Sequence, residues 1–324
     1  MSTDLIRDSA ERLFGPKGGS RAPAALWRET EAAGFGLALL SEAEGGFGLS
    51  TRDALEPLII AARCAAPVPL AETMLANWLL ARSGQGPSEN ASVVVSDLAQ
   101  PVLWGPAATE VLWLDPEGHV TRLPAGVCTW TPLSSLSGEP MERLLPPPPG
   151  GIRFDPGVSA MHLRAMAALL RAAQISGALE GVVQLSVSYA AGRVQFGRAL
   201  AGFQTIRHYL AQMANQAAAA RAGIAMAAAA ADQGDVGSFI ALVAAARIRA
   251  GEAVGPVTDL AHQIHGAIGF SEDYPLHQLT RRLWLWRDLD GDEAYWSAHL
   301  GARLMAGKER GLWAQITELQ GGSL

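Results

Sequence analysis

The sequence predicts a mainly α-helical chain in three parts. These are a helical N-terminal domain over 1–88, a reduced β-domain ending in a proline-rich linker over 89–150, and an antiparallel helix bundle over 151–324. Three observations carry this reading. Apolar residues recur at steps of three and four in the first and last parts, which marks one face of an α-helix. Between them lie short apolar stretches broken by Pro, Gly and Asp, the pattern of strands. Alanine is abundant in the last part, and small side chains let neighbouring helices approach closely.

In chain order, "STRDALEPLIIAARC" places Ser50 as a cap before an acid three residues on, then Leu55, Leu58, Ile59 and Ala62 at helical spacing. "PLAETMLANWLLARSG" predicts a second helix closed by Gly84. "SVVVS", "PVLWG", "EVLWLD" and "HVTRL" predict four strands. "PPPPGG" at 146–151 is too rich in proline for a helix or an inner strand and reads as a stiff linker. From about 158 the helical period returns. Phe203, Ile206, Leu210, Met213, Ala217, Ala220 and Ile224 form one stripe of a long helix. Further helices are expected around 235–265, 275–289 and 292–318, and long helices with short connections make a bundle.

Composition removes several function classes. Lys and Arg number 25 against 31 Asp and Glu, so the basic footprint of a nucleic-acid binder is missing. Two cysteines, Cys64 and Cys128, exclude a disulfide framework and a four-thiolate metal site. The opening "MSTDLIRDSAERLF" has no apolar core of a signal peptide. The run "AAAARAGIAMAAAAA" at 217–231 is interrupted by Arg221 and falls short of the roughly 20 apolar residues a bilayer span needs. The expectation is a cytoplasmic protein with neither a membrane nor a nucleic acid as partner.

"GPKGGS" (15–20) lacks P-loop spacing, and "EGGFGLS" (44–50) has no preceding strand of the dinucleotide type. His262 and His265 lack an obvious third ligand, so no metal is expected and a structural role is preferred. "WLWRDLDGDEAYW" (284–296) packs Asp288, Asp290, Asp292 and Glu293 among Trp284, Trp286, Tyr295 and Trp296. As a calcium loop it fails, because Glu293 and His299 stand where an EF-hand needs glycine and glutamate. In "GRVQFGRALAGFQ" (192–204) Arg193 ends a helix, Phe196 and Gly197 turn the chain, and Gln204 begins the next helix. With the glycine loop of "QIHGAIGFSEDYPLHQLTRR" (263–282), an exposed arginine and a buried glutamine suit an extended anionic cofactor.

"YAAGRVQFGRALAGFQ" followed by "QIHGAIGFSEDYPLHQLTRR" resembles the C-terminal bundle of the acyl-CoA dehydrogenases. "LWRETEAAGFGLALLSEAEGGFGLS" and "PLAETMLANWLL" resemble the helical domain of the same family. The resemblance implies oxidation of the Cα–Cβ bond of an acyl-CoA thioester, with FAD as hydride acceptor. It implies that Arg193 and Phe196 hold the diphosphate and adenine side of FAD and that Gln204 makes a second contact. It further implies that Gln263, Gly266 and Gly269 form the loop that reaches the FAD of a neighbouring subunit. Asp290-Gly291 falls where many members carry the Glu-Gly of the catalytic base. As a base, Asp290 would need a dry site, which the surrounding aromatic residues would supply. The competing role for Asp290 is N-cap of the last helix.

Three departures from the family pattern matter. Aspartate is one methylene shorter than glutamate, and Asp292 stands where threonine is usual. Ala167 and Ala168 occupy the alternative base position on the first bundle helix. The middle part is roughly half the expected length and lacks the flavin-gripping "T-E-P-x-A-G-S-D"-like and "W-I-T"-like segments. Together these resemble the smaller subunits of heteromeric acyl-CoA dehydrogenases of fatty acid or steroid side-chain degradation. The implied assembly is an α2β2 heterotetramer with FAD between unlike subunits and an electron-transfer flavoprotein as acceptor. The alternatives are a non-catalytic scaffold that completes a partner's FAD pocket and a helical interaction protein that has lost FAD.

Overall fold

The structure, a computed structural model, describes residues 3–15, 22–88, 90–95, 97, 99–146, 149–306, 314 and 317. Residues 16–20 of the glycine motif at 15–20 lie outside the described residues, as does the expected extension of the last helix past 306 apart from 314 and 317. The chain divides into two compact units, one of 1–61 with 66–170 and one of 62–65 with 171–324.

In the first unit, helices α1 (Thr3–Phe14), α2 (Pro23–Ala32), α3 (Thr51–Ala54), α4 (Glu56–Arg63) and α5 (Leu70–Arg82) form the N-terminal part. Leu26, Phe35, Leu40, Leu58, Leu70, Met74 and Leu79 are buried there. Ser50 caps as expected, its hydroxyl accepting the Asp53 N–H at 3.2 Å. The single helix read from 50–64 is instead broken at Leu55 into α3 and α4. Pro57 is the cause: it has no N–H to donate to the carbonyl four residues back, at Asp53, so the helical hydrogen-bond ladder is interrupted there. Helix α5 ends as expected at Gly84 (φ 68°), with Gly84 N–H bonded to Ala81 O and Gln85 N–H to Leu80 O. That pair of bonds is a Schellman closure.

All four expected strands are present as β1 (Ser92–Val95), β2 (Val102–Leu103), β3 (Glu110–Leu114) and β4 (Val120–Pro124). The structure adds β5 (Trp130–Pro132), β6 (Met141–Leu144) and β7 (Ile152–Phe154). One sheet runs β1-β3-β4-β7 and the other β2-β6-β5, with β1 parallel to β3 and the remaining pairs antiparallel. Val93, Val95, Val111 and Leu144 are buried in a small common core. Strand β7 follows the proline-rich segment and pairs with β4, so strand structure runs to 154.

A 33-residue helix, α6 (Ala160–Gly192), runs from the first unit into the second. By length and composition it would pass for a membrane span, but 83% of the relevant window is buried inside the protein, as for a core helix. The second unit continues with α7 (Gln204–Gln233), α8 (Val236–His265), α9 (Leu276–Asp288) and α10 (Glu293–Ala306). Gly234 (φ 78°) reverses the chain, and Asp235 caps α8 by accepting the Gly237 N–H at 3.0 Å. Helices α7 and α8 pack closely: a Cβ on Gly223 would lie 3.3 Å from Ala246 Cα. Of the expected α7 stripe, Met213, Ala217, Ala220 and Ile224 are buried, whereas Phe203, Ile206 and Leu210 are half-buried.

Candidate cofactor and active-site region

Beyond α6 the chain forms a short hairpin, β8 (Val194–Gln195) with β9 (Arg198–Ala199). Phe196 (φ 51°) and Gly197 (φ 78°) make its two-residue turn, since consecutive positive φ values match the twist of paired strands. Arg193 stands exposed at the foot of the hairpin, its N–H held by Tyr189 O at 2.8 Å and its carbonyl by Leu200 N–H at 2.8 Å. The Phe196 ring is 93% exposed, so this phenylalanine contributes a free aromatic face rather than core. The Arg198 guanidinium lies 3.9 Å over the Phe203 ring, a cation–π contact that stiffens the approach to α7. Gln204 is exposed, contrary to the expectation of a buried glutamine. It is the first residue of α7, where no preceding turn covers it.

The second segment closes α8. Gln263 is exposed on the last turn. Gly266 ends the helix at φ 63° and ψ −144°, a conformation open in practice only to glycine. Residues Gly266–Phe270 then form a 3₁₀ turn. Gly269 is buried, and a Cβ there would meet His265 Cβ at 3.0 Å, Leu276 Cδ2 at 3.1 Å and His262 Nδ1 at 3.2 Å. The two segments meet through Tyr189 and His265, whose rings stack with centroids 4.5 Å apart. Arg193, Phe196 and Gln204 therefore share one end of the bundle with Gln263, Gly266 and Gly269.

The two histidines of the last turn of α8 pack inside the bundle. His262 Nε2 lies 3.2 Å from Thr280 Oγ1, and its ring stacks on Phe270 at 4.1 Å and Trp284 at 5.8 Å. Burial pushes the proton affinity of both imidazoles below the ordinary histidine value. Among the described residues no group of three or more metal-ligating side chains converges.

Asp290 lies elsewhere. Arg171 and Tyr189 are both on α6 and eighteen residues apart, which puts the Arg171 region about 27 Å along the helix from the bundle end. Asp290 joins α9 to α10 with a left-handed backbone (φ 58°). Its Oδ2 accepts the Arg171 Nε–H at 2.9 Å, and Arg171 Nη1 donates to Gln174 Oε1 at 2.6 Å. The Asp290 carbonyl accepts the Trp296 indole N–H at 3.1 Å. Beneath this turn Arg247, fully buried, donates through Nη2 to the carbonyls of Trp286 (3.0 Å), Arg287 (2.6 Å) and Leu289 (2.9 Å). Burial lowers the Arg247 guanidinium to about 10, with Asp290 and Glu293 pulling it back up.

The remaining acids of the cluster have separate tasks. Asp292 is the N-cap of α10, its Oδ1 accepting the Tyr295 N–H at 2.8 Å. This corrects the cap role considered for Asp290. Glu293 accepts the Arg287 Nε–H at 2.7 Å and lies over Gly251, where an added Cβ would displace its carboxylate. The aromatic residues do not form one fence. Trp296 and Trp286 are buried, but Trp284 donates to Thr258 Oγ1 at 3.3 Å and belongs with the His262 stack. Asp290 keeps 29% of its side-chain surface exposed, which is not a dry site. Sequence reading missed Arg171 and Arg247. The available signal was arginine inside two largely apolar runs, Arg171 in "AALLRAAQISG" and Arg247 beside Arg249 in "LVAAARIRAG".

Comparison with known proteins agrees with the fold. Residues 158–305 match the family described as acyl-CoA dehydrogenase, C-terminal domain. The acyl-CoA dehydrogenase IpdE2 of Mycobacterium tuberculosis is 30% identical over 281 residues, 79% of this chain and 79% of that protein. Acryloyl-CoA reductase (NADH) of Anaerotignum propionicum is 43% identical over 109 residues, a match spanning 34% of this chain and only 27% of that protein. Among solved structures, the Tcur3481-Tcur3483 steroid ACAD G363A variant superposes with a TM-score of 0.84 at 22% identity, over 95% of this chain and 99% of that one. The ChsE4-ChsE5 complex of Mycobacterium tuberculosis gives a TM-score of 0.78 at 21% identity, over 94% and 96%. Helical domain, two small sheets and helix bundle follow in the family's order, and a relative matches across most of both chains: this chain belongs to the acyl-CoA dehydrogenase family.

Proposed function

We propose that this chain is one subunit of a heteromeric, FAD-dependent acyl-CoA dehydrogenase, an α2β2 assembly in which it supplies part of the cofactor site. The observation that carries this reading is the meeting of the Arg193 hairpin and the Gly266 loop at one end of the bundle. Their donor set fits the diphosphate and adenine end of FAD. It comprises an exposed guanidinium, the exposed carboxamides of Gln204 and Gln263, the exposed Phe196 ring, and a loop in which Gly266 leaves room for close backbone approach. In this reading Arg193 neutralises the diphosphate, Phe196 offers a plane to the adenine, and the carboxamides orient both. Bound FAD supplies the hydride acceptor for dehydrogenation of an acyl-CoA thioester, and an electron-transfer flavoprotein takes the electrons onward. A second, unlike subunit supplies the contacts to the flavin ring that the short β-part lacks. Two structural neighbours, the Tcur3481-Tcur3483 steroid ACAD and the ChsE4-ChsE5 complex, each pair two differently named chains, which supports a two-chain assembly.

One observation favours a narrower reading, in which the partner alone performs the chemistry. Asp290 Oδ2 is engaged by Arg171, and the carboxylate is neither free nor dry. A carboxylate that must abstract an α-proton needs an oxygen within hydrogen-bond reach of the substrate carbon in a water-excluded site. In the narrower reading Asp290 anchors the α9–α10 turn and the chain completes the partner's pocket. The test is to purify the chain alone and co-expressed with a second acyl-CoA dehydrogenase subunit, then measure mass and FAD per subunit by absorbance. The expected result is a colourless lone chain and a yellow heteromer. A lone chain with full flavin occupancy would overturn the heteromeric reading.

A further inference from the structure

His265 is the last residue of α8, 4% exposed, and directly precedes Gly266. Its ring is gripped from two other elements. Tyr189 of α6 stacks on it at 4.5 Å with planes 24° apart, and Tyr274 lies against it at 5.1 Å. Tyr189 and Tyr274 are themselves edge-to-face at 5.9 Å. The hydrogen bonds fix the tautomer. Nδ1 lies 2.7 Å from Ala261 O, which only accepts, so Nδ1 carries the proton. On the neutral ring Nε2 then accepts from the Tyr274 hydroxyl, 3.3 Å away. Burial holds the imidazole below its ordinary histidine range, consistent with the neutral form. Tyr189 also stands one turn before Arg193 and accepts that residue's N–H.

The joint therefore ties three things together: the end of α6 that launches the Arg193 hairpin, the end of α8, and the 271–275 segment that closes the glycine loop. We propose that the Tyr189–His265–Tyr274 stack sets the spacing between the two halves of the cofactor grip, with His265 as the positioning residue. This rests on the reading that the grip holds FAD. No atom of His265 need touch the cofactor. Its ring fixes where the Gly266 N–H and the Arg193 guanidinium stand relative to one another, and a diphosphate held at two points is sensitive to that spacing.

The test uses the co-expressed complex and separates the joint from its consequence. His265→Phe keeps a ring of similar size and removes both hydrogen bonds, whereas Tyr274→Phe removes one hydroxyl from a partly exposed residue. Amide hydrogen exchange on the flavin-stripped complex reads the joint. Exchange over 266–275 is expected to rise about five-fold with Tyr274→Phe, the factor given by one lost hydrogen bond of about 1 kcal/mol, and more with His265→Phe, which loses two, while 240–258 stays unchanged. Flavin titration by fluorescence reads the consequence: Kd for FAD is expected to weaken about five-fold with Tyr274→Phe and more with His265→Phe. Unchanged exchange and unchanged Kd in both variants would overturn the joint. Faster exchange with unchanged Kd would overturn its bearing on the cofactor. A wild-type complex that binds no FAD at all would instead refute the functional reading, and the exchange arm would still decide the joint.

Discussion

Replacing Asp290 with Asn removes one negative charge from a turn that faces two arginines, and its cost separates an anchor from a base. The Arg171–Asp290 contact is 2.9 Å, with side chains 9% and 29% exposed. It thus lies between a surface ion pair, worth about 0–1 kcal/mol, and a buried one, where removing a partner costs about 3–5 kcal/mol. Asparagine keeps an acceptor for Arg171 Nε but leaves the charges of Arg171 and the fully buried Arg247 without their nearby carboxylate. We expect about 2 kcal/mol of destabilisation, a fall in Tm of roughly 4–8 °C for a domain of this size. Arg171→Met should cost about 1–2 kcal/mol, because the freed Asp290 carboxylate is partly solvated. The double variant should fall short of the sum by about 1 kcal/mol, the coupling expected of residues in contact. The assay is thermal unfolding of all four proteins, paired with turnover of the assembled complex. An anchor predicts lowered Tm with kcat within about two-fold of wild type, whereas loss of a general base costs about 10²–10⁴ in rate. Collapsed turnover with unchanged Tm and no coupling to Arg171 would refute the anchor and restore Asp290 as the base.

Other expectations follow from single sites. Glu142, 91% buried in β6 with Oε2 unpartnered, has its carboxyl pushed up by burial, with a Gly105 N–H bond pulling it down. A raised folded-state value means that its contribution is complete below the unfolded glutamate range and is lost as pH rises through the folded value. Glu142→Gln should therefore raise Tm at pH 7–8 and flatten the Tm–pH curve; a lower Tm at neutral pH would contradict this. Asp292→Ala removes the α10 cap and should cost about 1 kcal/mol by denaturant titration, with Asp292→Asn close to wild type. Gly266→Ala forces a side chain onto φ 63° and ψ −144° and should cost about 1–3 kcal/mol while lowering FAD occupancy of the complex. Full occupancy in that variant would remove the loop from the cofactor site.

The sequence by itself determined the order of the parts and most of their elements, because those signals are local. Helical spacing after 158, the Ser50 and Gly84 stops, and apolar stretches punctuated by Pro, Gly and Asp each act within a few residues along the chain. The late strands β5 to β7 were not legible because "WTP", "MERL" and "IRF" mix polar, charged and proline residues and present no apolar stretch. The hairpin turn at Phe196-Gly197 and the glycine loop at Gly266 were also legible, since both depend on backbone conformations that few residues adopt. What only tertiary structure decided is the company each side chain keeps. Arg171 reaches Asp290 across 119 positions, and Arg247 finds three carbonyls 39 to 42 positions away. No local pattern specifies such pairings. They arise because a charge buried among apolar helices must take whatever acceptor the packing brings within reach. The same packing gave the cap of α10 to Asp292 and an ion pair to Asp290, whereas the sequence reading offered Asp290 the roles of base and cap.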